Sequence, residues 1–187
     1  MKIGIISNLY EHLPKIDECE VLFIIGNVFP KQTNFNLIEE WITNVFIKWV
    51  NKLPCSHVIL TSGDHYLKSL RENDLKIYEL FVKPTKGKIE ILYNTECNII
   101  SDDGNVYKIF GNIDYKVFIN DEKYSIIPKW CDIIVSNDFS LYNKALVAAI
   151  KEKNPRFILN NESSNKTLNS KSSKFINVTD VISYLEI

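Results

Sequence analysis

The chain has 187 residues, of which 45% are hydrophobic and 24% are charged, and its formal net charge is −1. This length predicts a single domain over residues 1–187, which can bury about 70% of its unfolded surface without help from a metal or a disulfide. The near-neutral charge excludes a general electrostatic attraction to nucleic acid or to an anionic membrane. No stretch approaches the roughly 20 apolar residues that span a bilayer.

Three buried strands are predicted in the first half of the chain, over residues 2–7, 20–25 and 57–62. Leu13 and Ile16 favour a short helix that begins near Pro14, between the first two strands. Residues 35–51 repeat large apolar side chains at three- and four-residue steps, which is typical of a helix that faces a core. Residues 67–82 favour another helix, with weaker caps.

The second half predicts a β-rich middle followed by strand, helix and two strands. Short β-like runs occupy residues 88–93, 96–101 and 105–110, and Asp103-Gly104 is a strong hairpin signal between the last two. Further strands are predicted over residues 132–136, 156–160 and 174–178. A helix over residues 141–153 is ended by Asn154-Pro155. Alternating strands and helices of this kind predict an α/β fold.

The four cysteines do not have the spacing of a metal site. They are Cys19, Cys55, Cys97 and Cys131, and no C-x-x-C pair occurs among them. The apolar stretch at the N-terminus is broken by Ser7 and Asn8 and lacks the apolar core of a signal peptide. We therefore expect an intracellular protein, cytoplasmic or nuclear, with reduced and mostly buried thiols.

Polar residues follow the C-terminal ends of four apolar runs. The four segments are Ser7-Asn8-Leu9-Tyr10, Gly26-Asn27, Gly63-Asp64-His65-Tyr66 and Ser136-Asn137. Active sites of α/β proteins lie at the carboxyl ends of strands. We therefore expect Asn8, Asn27, Asp64, His65 and Asn137 to converge on one pocket.

In order and strand-end context, these segments resemble the D-x-H, G-D, G-N-H-D/E and later-histidine motifs of the calcineurin-like metallophosphoesterases. The resemblance implies two packed mixed β-sheets flanked by helices, with metals at the C-terminal ends of central strands. It places Asn8, Tyr10, Asn27, Asp64 and Asn137 at metal-ligand positions. The family's G-H-x-H falls near residues 161–164, so that Glu162 and Ser164 stand where its histidines would be.

Several branches of this superfamily share local features with the chain. Residues 1–17 resemble the start of the lariat debranching enzymes. Residues 21–29 and 131–139 are similar to the splicing-associated CwfJ family. In size, and in Gly26-Asn27 and Gly63-Asp64, the chain resembles the phosphoesterase-fold subunit of retromer. These resemblances imply either RNA processing or membrane trafficking.

The residues at the metal-ligand positions disfavour catalysis. A two-metal site needs carboxylates to offset ionic repulsion and imidazoles as nitrogen ligands. Here the bridging aspartate is replaced by Asn27, and no metal-binding histidine is retained. We expect no metal; the alternative is one weakly bound Mg²⁺ or Ca²⁺ on Asp64 and Glu162 with amide oxygens. His65 matches the family's general acid and would be vestigial.

The resemblance, with its metal ligands replaced, indicates a degenerate, non-catalytic branch of this superfamily. Because the fold is kept without the metals, we expect the chain to bind protein partners as a subunit of a larger assembly. Tyr10, Phe29 and Tyr66 are expected to be exposed aromatic contacts near the strand ends. The alternative is that these three side chains fill the vacated metal cavity. Two further alternatives are a divergent phosphoric ester hydrolase that uses His65 and one ion, and a nucleic-acid binder that retains a phosphate-docking cleft.

Overall fold

The computed structural model describes residues 1–31, 34–61, 63, 65–70, 73–111, 127–137, 144–161, 173–178 and 181–187. The chain divides into two compact units, each built on one five-stranded sheet. Unit 1 comprises Met1–Ile91 and Asp180–Ile187, and unit 2 comprises Leu92–Thr179. Both sheets are mixed, so the protein is an α/β protein with two mixed sheets and accompanying helices.

The sheet of unit 1 has the strand order β10-β1-β2-β3-β4. Its strands are β1 (Lys2–Ser7), β2 (Val21–Ile25), β3 (His57–Thr61), β4 (Ile89–Ile91) and β10 (Ser183–Glu186). Strands β1 to β4 are parallel, and β10 pairs antiparallel with β1. All five residues of β2 are buried, as expected for a central parallel strand covered on both faces. The three strands predicted first are confirmed.

The helix predicted over residues 35–51 is present, but it contains a π-helical turn. It consists of α1 (Phe35–Trp41), the π-helical turn Ile42–Phe46 and α2 (Ile47–Lys52). The Asn34 side chain caps it by accepting a hydrogen bond from the Asn36 amide at 3.0 Å. Within the helix, the Thr43 hydroxyl donates to the Glu39 carbonyl at 2.9 Å. This competition for a backbone carbonyl accompanies the local widening of the helix.

The prediction of one continuous helix over residues 67–82 is wrong. The structure has α3 (His65–Leu70), α4 (Asp74–Ile77) and a second π-helical turn, Tyr78–Val82. A new helix begins after Asn73, because the Asn73 side chain accepts a hydrogen bond from the Lys76 amide at 3.0 Å. A capping asparagine marks a helix start rather than a helix interior.

The short helix predicted near Pro14 is also wrong. Backbone groups of this segment bond to distant elements instead of to each other. The Pro14 carbonyl accepts from the Trp49 indole at 3.0 Å, and the Asp17 amide donates to the Tyr184 hydroxyl at 2.6 Å. Tertiary hydrogen bonds thus replace the local bonds that a helix would need.

The sheet of unit 2 has the strand order β5-β6-β7-β8-β9. Its strands are β5 (Thr95–Ile100), β6 (Val106–Gly111), β7 (Ile133–Ser136), β8 (Phe157–Asn160) and β9 (Lys174–Asn177). The predicted hairpin is confirmed, since β5 and β6 are antiparallel and Gly104 has φ +83°. Helix α5 (Lys144–Lys153) connects β7 to β8, which are parallel.

Strand β10 was not predicted. It lies along the free edge of β1, where Tyr184 is paired with Gly4. A Cβ on Gly4 would lie 3.2 Å from Cys19 Sγ and from Leu22 Cδ1, and 3.3 Å from the Tyr184 ring, so glycine permits the close packing here. Within the described parts of the chain, no helix combines the length and apolar character needed to cross a bilayer.

Candidate functional site

The carboxyl ends of β1, β2 and β3 meet at one edge of the unit 1 sheet because these strands are parallel. Backbone pairing continues one residue beyond the strands themselves. The Asn8 amide donates to the Ile25 carbonyl at 3.0 Å, and the Gly26 amide donates to the Thr61 carbonyl at 3.0 Å. The residues that follow these strands are therefore held against each other.

Three of the predicted metal-ligand positions of unit 1 form a connected network, which we call the Asn8–Tyr10–Asn27 network. The Asn27 amide nitrogen of the backbone donates to Asn8 Oδ1 at 3.2 Å. The Asn27 side-chain Nδ2 donates to the Tyr10 hydroxyl at 2.9 Å. The Tyr10 backbone amide in turn donates to the Asn27 carbonyl at 3.3 Å. Asn8 and Asn27, two of the five residues predicted to converge, are therefore in contact, and Tyr10 is bonded to Asn27 beside them.

The loop that carries Asn8 and Tyr10 has an uncommon backbone conformation. Asn8, Tyr10 and Glu11 have φ values of 50°, 41° and 67°. Such left-handed conformations cost about 1–3 kcal/mol each for residues other than glycine, and they cluster at functional sites. Here they are stabilised from outside, for example by the hydrogen bond of 3.0 Å from the Glu11 amide to the Val28 carbonyl. They aim Tyr10 outward.

Tyr10 is an exposed aromatic side chain at this edge. Its relative exposure is 39%, and the Lys31 ammonium lies 4.6 Å from the centre of its ring. A cation over an aromatic face is a favourable contact worth about 0.5–1 kcal/mol at an exposed position. Tyr10 and Lys31 thus present an apolar ring and a positive charge side by side.

The expectation of exposure is wrong for Phe29 and Tyr66, each of which is only 2% exposed. The Phe29 ring lies at the centre of an aromatic cluster, with its centroid 5.9–6.1 Å from four other aromatic rings. These neighbours are Trp41, Phe46, Tyr66 and Phe81. The chain after β2 turns inward beneath the helices, so these rings fill the core.

Burial raises the pKa of Tyr66 above its ordinary range, and the Glu39 carboxylate nearby acts in the same direction. The Tyr66 hydroxyl nevertheless has no partner of good hydrogen-bond geometry among the described residues. Glu39 instead forms a close ion pair with the Lys76 ammonium. Tyr66 is therefore a neutral core residue at physiological pH.

His65 is the first residue of α3 and its side chain is exposed. Its ring lies 6.0 Å from the ring of Phe35. A proton donor for chemistry must be accessible to substrate, and this side chain meets that condition. Asp64, which was predicted to line the same pocket as His65, lies outside the described residues.

In unit 2, polar residues again follow two adjacent parallel strands. The Asn161 side-chain Nδ2 donates to Asn137 Oδ1 at 3.0 Å, and the Asn161 amide donates to the Ser136 carbonyl at 3.2 Å. The fully buried Ser136 hydroxyl has no hydrogen-bond partner among the described residues. Asn137 thus lies at the carboxyl edge of its sheet, as its strand-end position predicts. Glu162 lies outside the described residues, and convergence of all the predicted positions on one pocket stays a prediction.

The donor set of the unit 1 network does not fit two divalent metals. Asn27 uses its side-chain nitrogen as a donor to Tyr10, and Asn8 Oδ1 already accepts a backbone N–H. No group of three or more His, Cys, Asp or Glu residues comes together among the described residues. Neutral amides and a phenol cannot replace the carboxylates and imidazoles that such metals require. The expectation that no metal binds stays a prediction, and its alternative is still a single weakly held ion on Asp64 and Glu162.

Unit 1 also has a surface groove that the sequence did not predict. Residues 13–16 and 52–54, together with Trp49, line an apolar groove of about 410 Å³. Cys19 and Cys55 follow these two segments; Cys19 is buried and Cys55 is half-buried. Residues from distant parts of the chain meet here, so spacing along the sequence could not reveal the groove.

Comparison with known proteins adds information about the fold alone. No family model matches the sequence, and no curated protein matches it. A solved crystal structure is similar, with a TM-score of 0.57 and 12% sequence identity, over 98% of this chain and 94% of that chain. At this identity the similarity shows a common fold across both units and says nothing of activity.

Proposed function

We propose that this chain is a non-catalytic relative of the calcineurin-like metallophosphoesterases that acts as a binding or scaffold subunit of a larger assembly. The observation that carries the proposal is the Asn8–Tyr10–Asn27 network at the carboxyl ends of β1 and β2. The α/β architecture with two mixed sheets supports the same family. RNA processing and retromer-type trafficking are the two settings that the sequence resemblances favour.

Electrostatics explains why the replacement at Asn27 is decisive for catalysis. Two divalent ions about 4 Å apart repel each other by roughly 17 kcal/mol at an effective dielectric constant of about 20. A bridging carboxylate offsets much of this repulsion because it carries a full negative charge between the ions. A neutral amide does not, and the Asn27 amide is already bonded to Tyr10 at 2.9 Å.

Tyr10 offers the best-supported docking contact. The Tyr10 ring is 39% exposed, and its strained loop is held by hydrogen bonds to the segment after β2. A rigid, exposed aromatic loses little conformational entropy on binding, and truncating such a hot-spot residue costs about 2 kcal/mol or more. With Lys31 over its ring, Tyr10 would suit a protein surface that carries an apolar pocket beside an acidic side chain.

The alternative function is a divergent phosphoesterase with one weakly bound ion. The exposed side chain of His65 at the start of α3 favours it, because a general acid must reach the leaving group. General acid catalysis alone is worth about 10²–10⁴-fold, far below the acceleration that phosphate ester hydrolysis needs. This alternative therefore depends on an ion held by residues such as Asp64 and Glu162.

Metal titration separates the two functions. The melting temperature is measured with Mn²⁺, Mg²⁺, Ca²⁺ and Zn²⁺, and hydrolysis of bis-nitrophenyl phosphate is measured under the same conditions. We expect no stabilisation and no turnover. A bound ion at 100 times its Kd would add about 2.7 kcal/mol, or roughly 5–11 °C. Metal-dependent turnover that is lost in His65→Ala would establish the alternative instead.

Partner capture tests the docking role of Tyr10. The protein and its Tyr10→Ala variant are used as baits, with Tyr78→Ala as the matched control because Tyr78 is also exposed, at 49%. A partner lost with Tyr10→Ala but kept with Tyr78→Ala, with a melting temperature lowered by no more than about 4 °C, supports the proposal. Equal capture by all three baits contradicts it. Salt-dependent binding of RNA without any protein partner would favour a nucleic-acid binder.

A further inference from the structure

Cys19 and Cys55 occupy matching positions before two neighbouring parallel strands. The strands β2 and β3 are in register with Val21 opposite His57, and each cysteine lies two residues earlier. Backbone hydrogen bonds extend the pairing back to the cysteines. The His57 amide donates to the Glu20 carbonyl at 3.1 Å, and the Cys19 amide donates to the Pro54 carbonyl at 3.3 Å.

This placement suits a covalent bond between the two sulfur atoms. Neighbouring strands lie about 4.8 Å apart, and disulfides join residues whose Cα atoms are about 4.4–6.8 Å apart. Cys19 lies in the hydrophobic core of unit 1, and Cys55 packs against the same core. No large rearrangement of the backbone is needed to bring the sulfur atoms together.

The surroundings assign different roles to the two thiols. The hydrogen bond from Cys55 lowers the pKa of Cys19, and Lys2 and Lys88 contribute in the same direction. The pKa of Cys55 is raised, first by that same hydrogen bond and then by burial. Cys19 is therefore the thiol that ionises first, and the thiolate is the nucleophile. Cys55 is half-buried and lies against it as the second thiol.

We propose that Cys19 and Cys55 are a reversible disulfide-forming pair that reacts with small hydroperoxides. The Cys19 thiolate attacks one oxygen of hydrogen peroxide, the O–O bond breaks, and the departing hydroxide takes up a proton to become water. The resulting sulfenic acid is attacked by the Cys55 sulfur, which forms the S–S bond and releases a second water. The two thiols together lose two electrons, and the peroxide gains them.

The pair differs in chemistry from Cys131. Burial raises the pKa of Cys131 to about 12, and its sulfur is directed to the Ile133 carbonyl at 3.1 Å. A thiol of this kind carries almost no thiolate at neutral pH and is inert to peroxide. Cys131 is therefore a matched internal control.

The experiment uses the full chain and a small excess of hydrogen peroxide, followed by denaturation, alkylation with iodoacetamide and peptide mass spectrometry. We expect the number of alkylated cysteines to fall from four to two, with a cross-link between Cys19 and Cys55, and dithiothreitol to restore four. The cross-link closes a long loop, so the oxidised protein should melt roughly 5–15 °C higher. Cys131→Ser should still form the cross-link, whereas Cys55→Ser should not.

Cys55 is half-buried, so Cys55→Ser is the variant least disruptive to folding, and circular dichroism verifies that it folds. The proposal is overturned if all four cysteines remain alkylated after oxidation. It is equally overturned if the cross-link is intermolecular or involves Cys97 or Cys131, or if Cys19 proceeds to a sulfinic acid without bonding to Cys55.

Discussion

Replacement of Phe29 by alanine is expected to destabilise unit 1 strongly, and replacement of Tyr10 is not. Phe29 is 2% exposed and lies 5.9–6.1 Å from four aromatic rings. A buried aromatic side chain removes about 150–250 Å² from water, which at about 25 cal/mol per Å² corresponds to roughly 4–6 kcal/mol. Allowing for residual burial in the unfolded chain, we expect a loss of about 4 kcal/mol for Phe29→Ala.

A loss of this size lowers the melting temperature by roughly 8–16 °C in a protein of this length. Phe29→Leu keeps most of the buried volume and should cost only about 1–2 kcal/mol. Tyr10→Ala should cost roughly 1 kcal/mol, because its ring is already 39% exposed and its hydroxyl accepts one hydrogen bond from Asn27.

Urea denaturation followed by tryptophan fluorescence measures these differences. The chain has three tryptophans, and the background variant Trp130→Phe leaves Trp41 and Trp49, both of which pack against the unit 1 core. Trp130 is 86% exposed, so its replacement should hardly change stability. A loss below about 1 kcal/mol for Phe29→Ala, or one above about 3 kcal/mol for Tyr10→Ala, would refute the assignment of core and docking roles.

Three other residues, Gly104, Cys131 and Tyr184, also give testable expectations. Gly104→Ala should lower the free energy of unfolding by about 1 kcal/mol and speed amide exchange in β5 and β6. The reason is the φ of +83°, which is strained for alanine, since the added Cβ would meet no atom within 4 Å. Gly104→Asn should cost less, because asparagine tolerates this conformation better. Cys131, whose pKa is raised to about 12 by burial, should resist alkylation at pH 8 until the chain unfolds. The Cys131 thiol ionises at a lower pH in the unfolded chain than in the folded protein. The stability that Cys131 contributes is therefore complete below pH of about 8.5 and is lost as pH rises towards 12. Alkaline denaturation would measure this loss. Tyr184→Phe removes the acceptor of the 2.6 Å bond from the Asp17 amide and should cost about 1 kcal/mol by urea denaturation; no change would show that water replaces the hydroxyl.

Local sequence was sufficient for the elements whose patterns are dictated by neighbouring residues. Apolar runs predicted β1, β2 and β3. Asp103-Gly104 predicted the hairpin, because the left-handed backbone conformation of a turn is a local preference of glycine. The strand-end positions of Asn8 and Asn27 likewise predicted their contact, because parallel strands bring their carboxyl ends to one edge.

Tertiary structure decided the features that depend on distant partners. Residues near Pro14 form no helix because Trp49 and Tyr184 take up their backbone groups. Strand β10 exists because the edge of β1 was open to it.

The same distinction separates Tyr10 from Phe29. Both aromatics follow strand ends in the sequence, yet Phe29 enters an aromatic core while Tyr10 is turned outward by a left-handed loop. Sequence alone determined which residues stand at the strand ends. The burial of each side chain was decided by which surfaces the rest of the chain brings against it, and no local pattern contains that information.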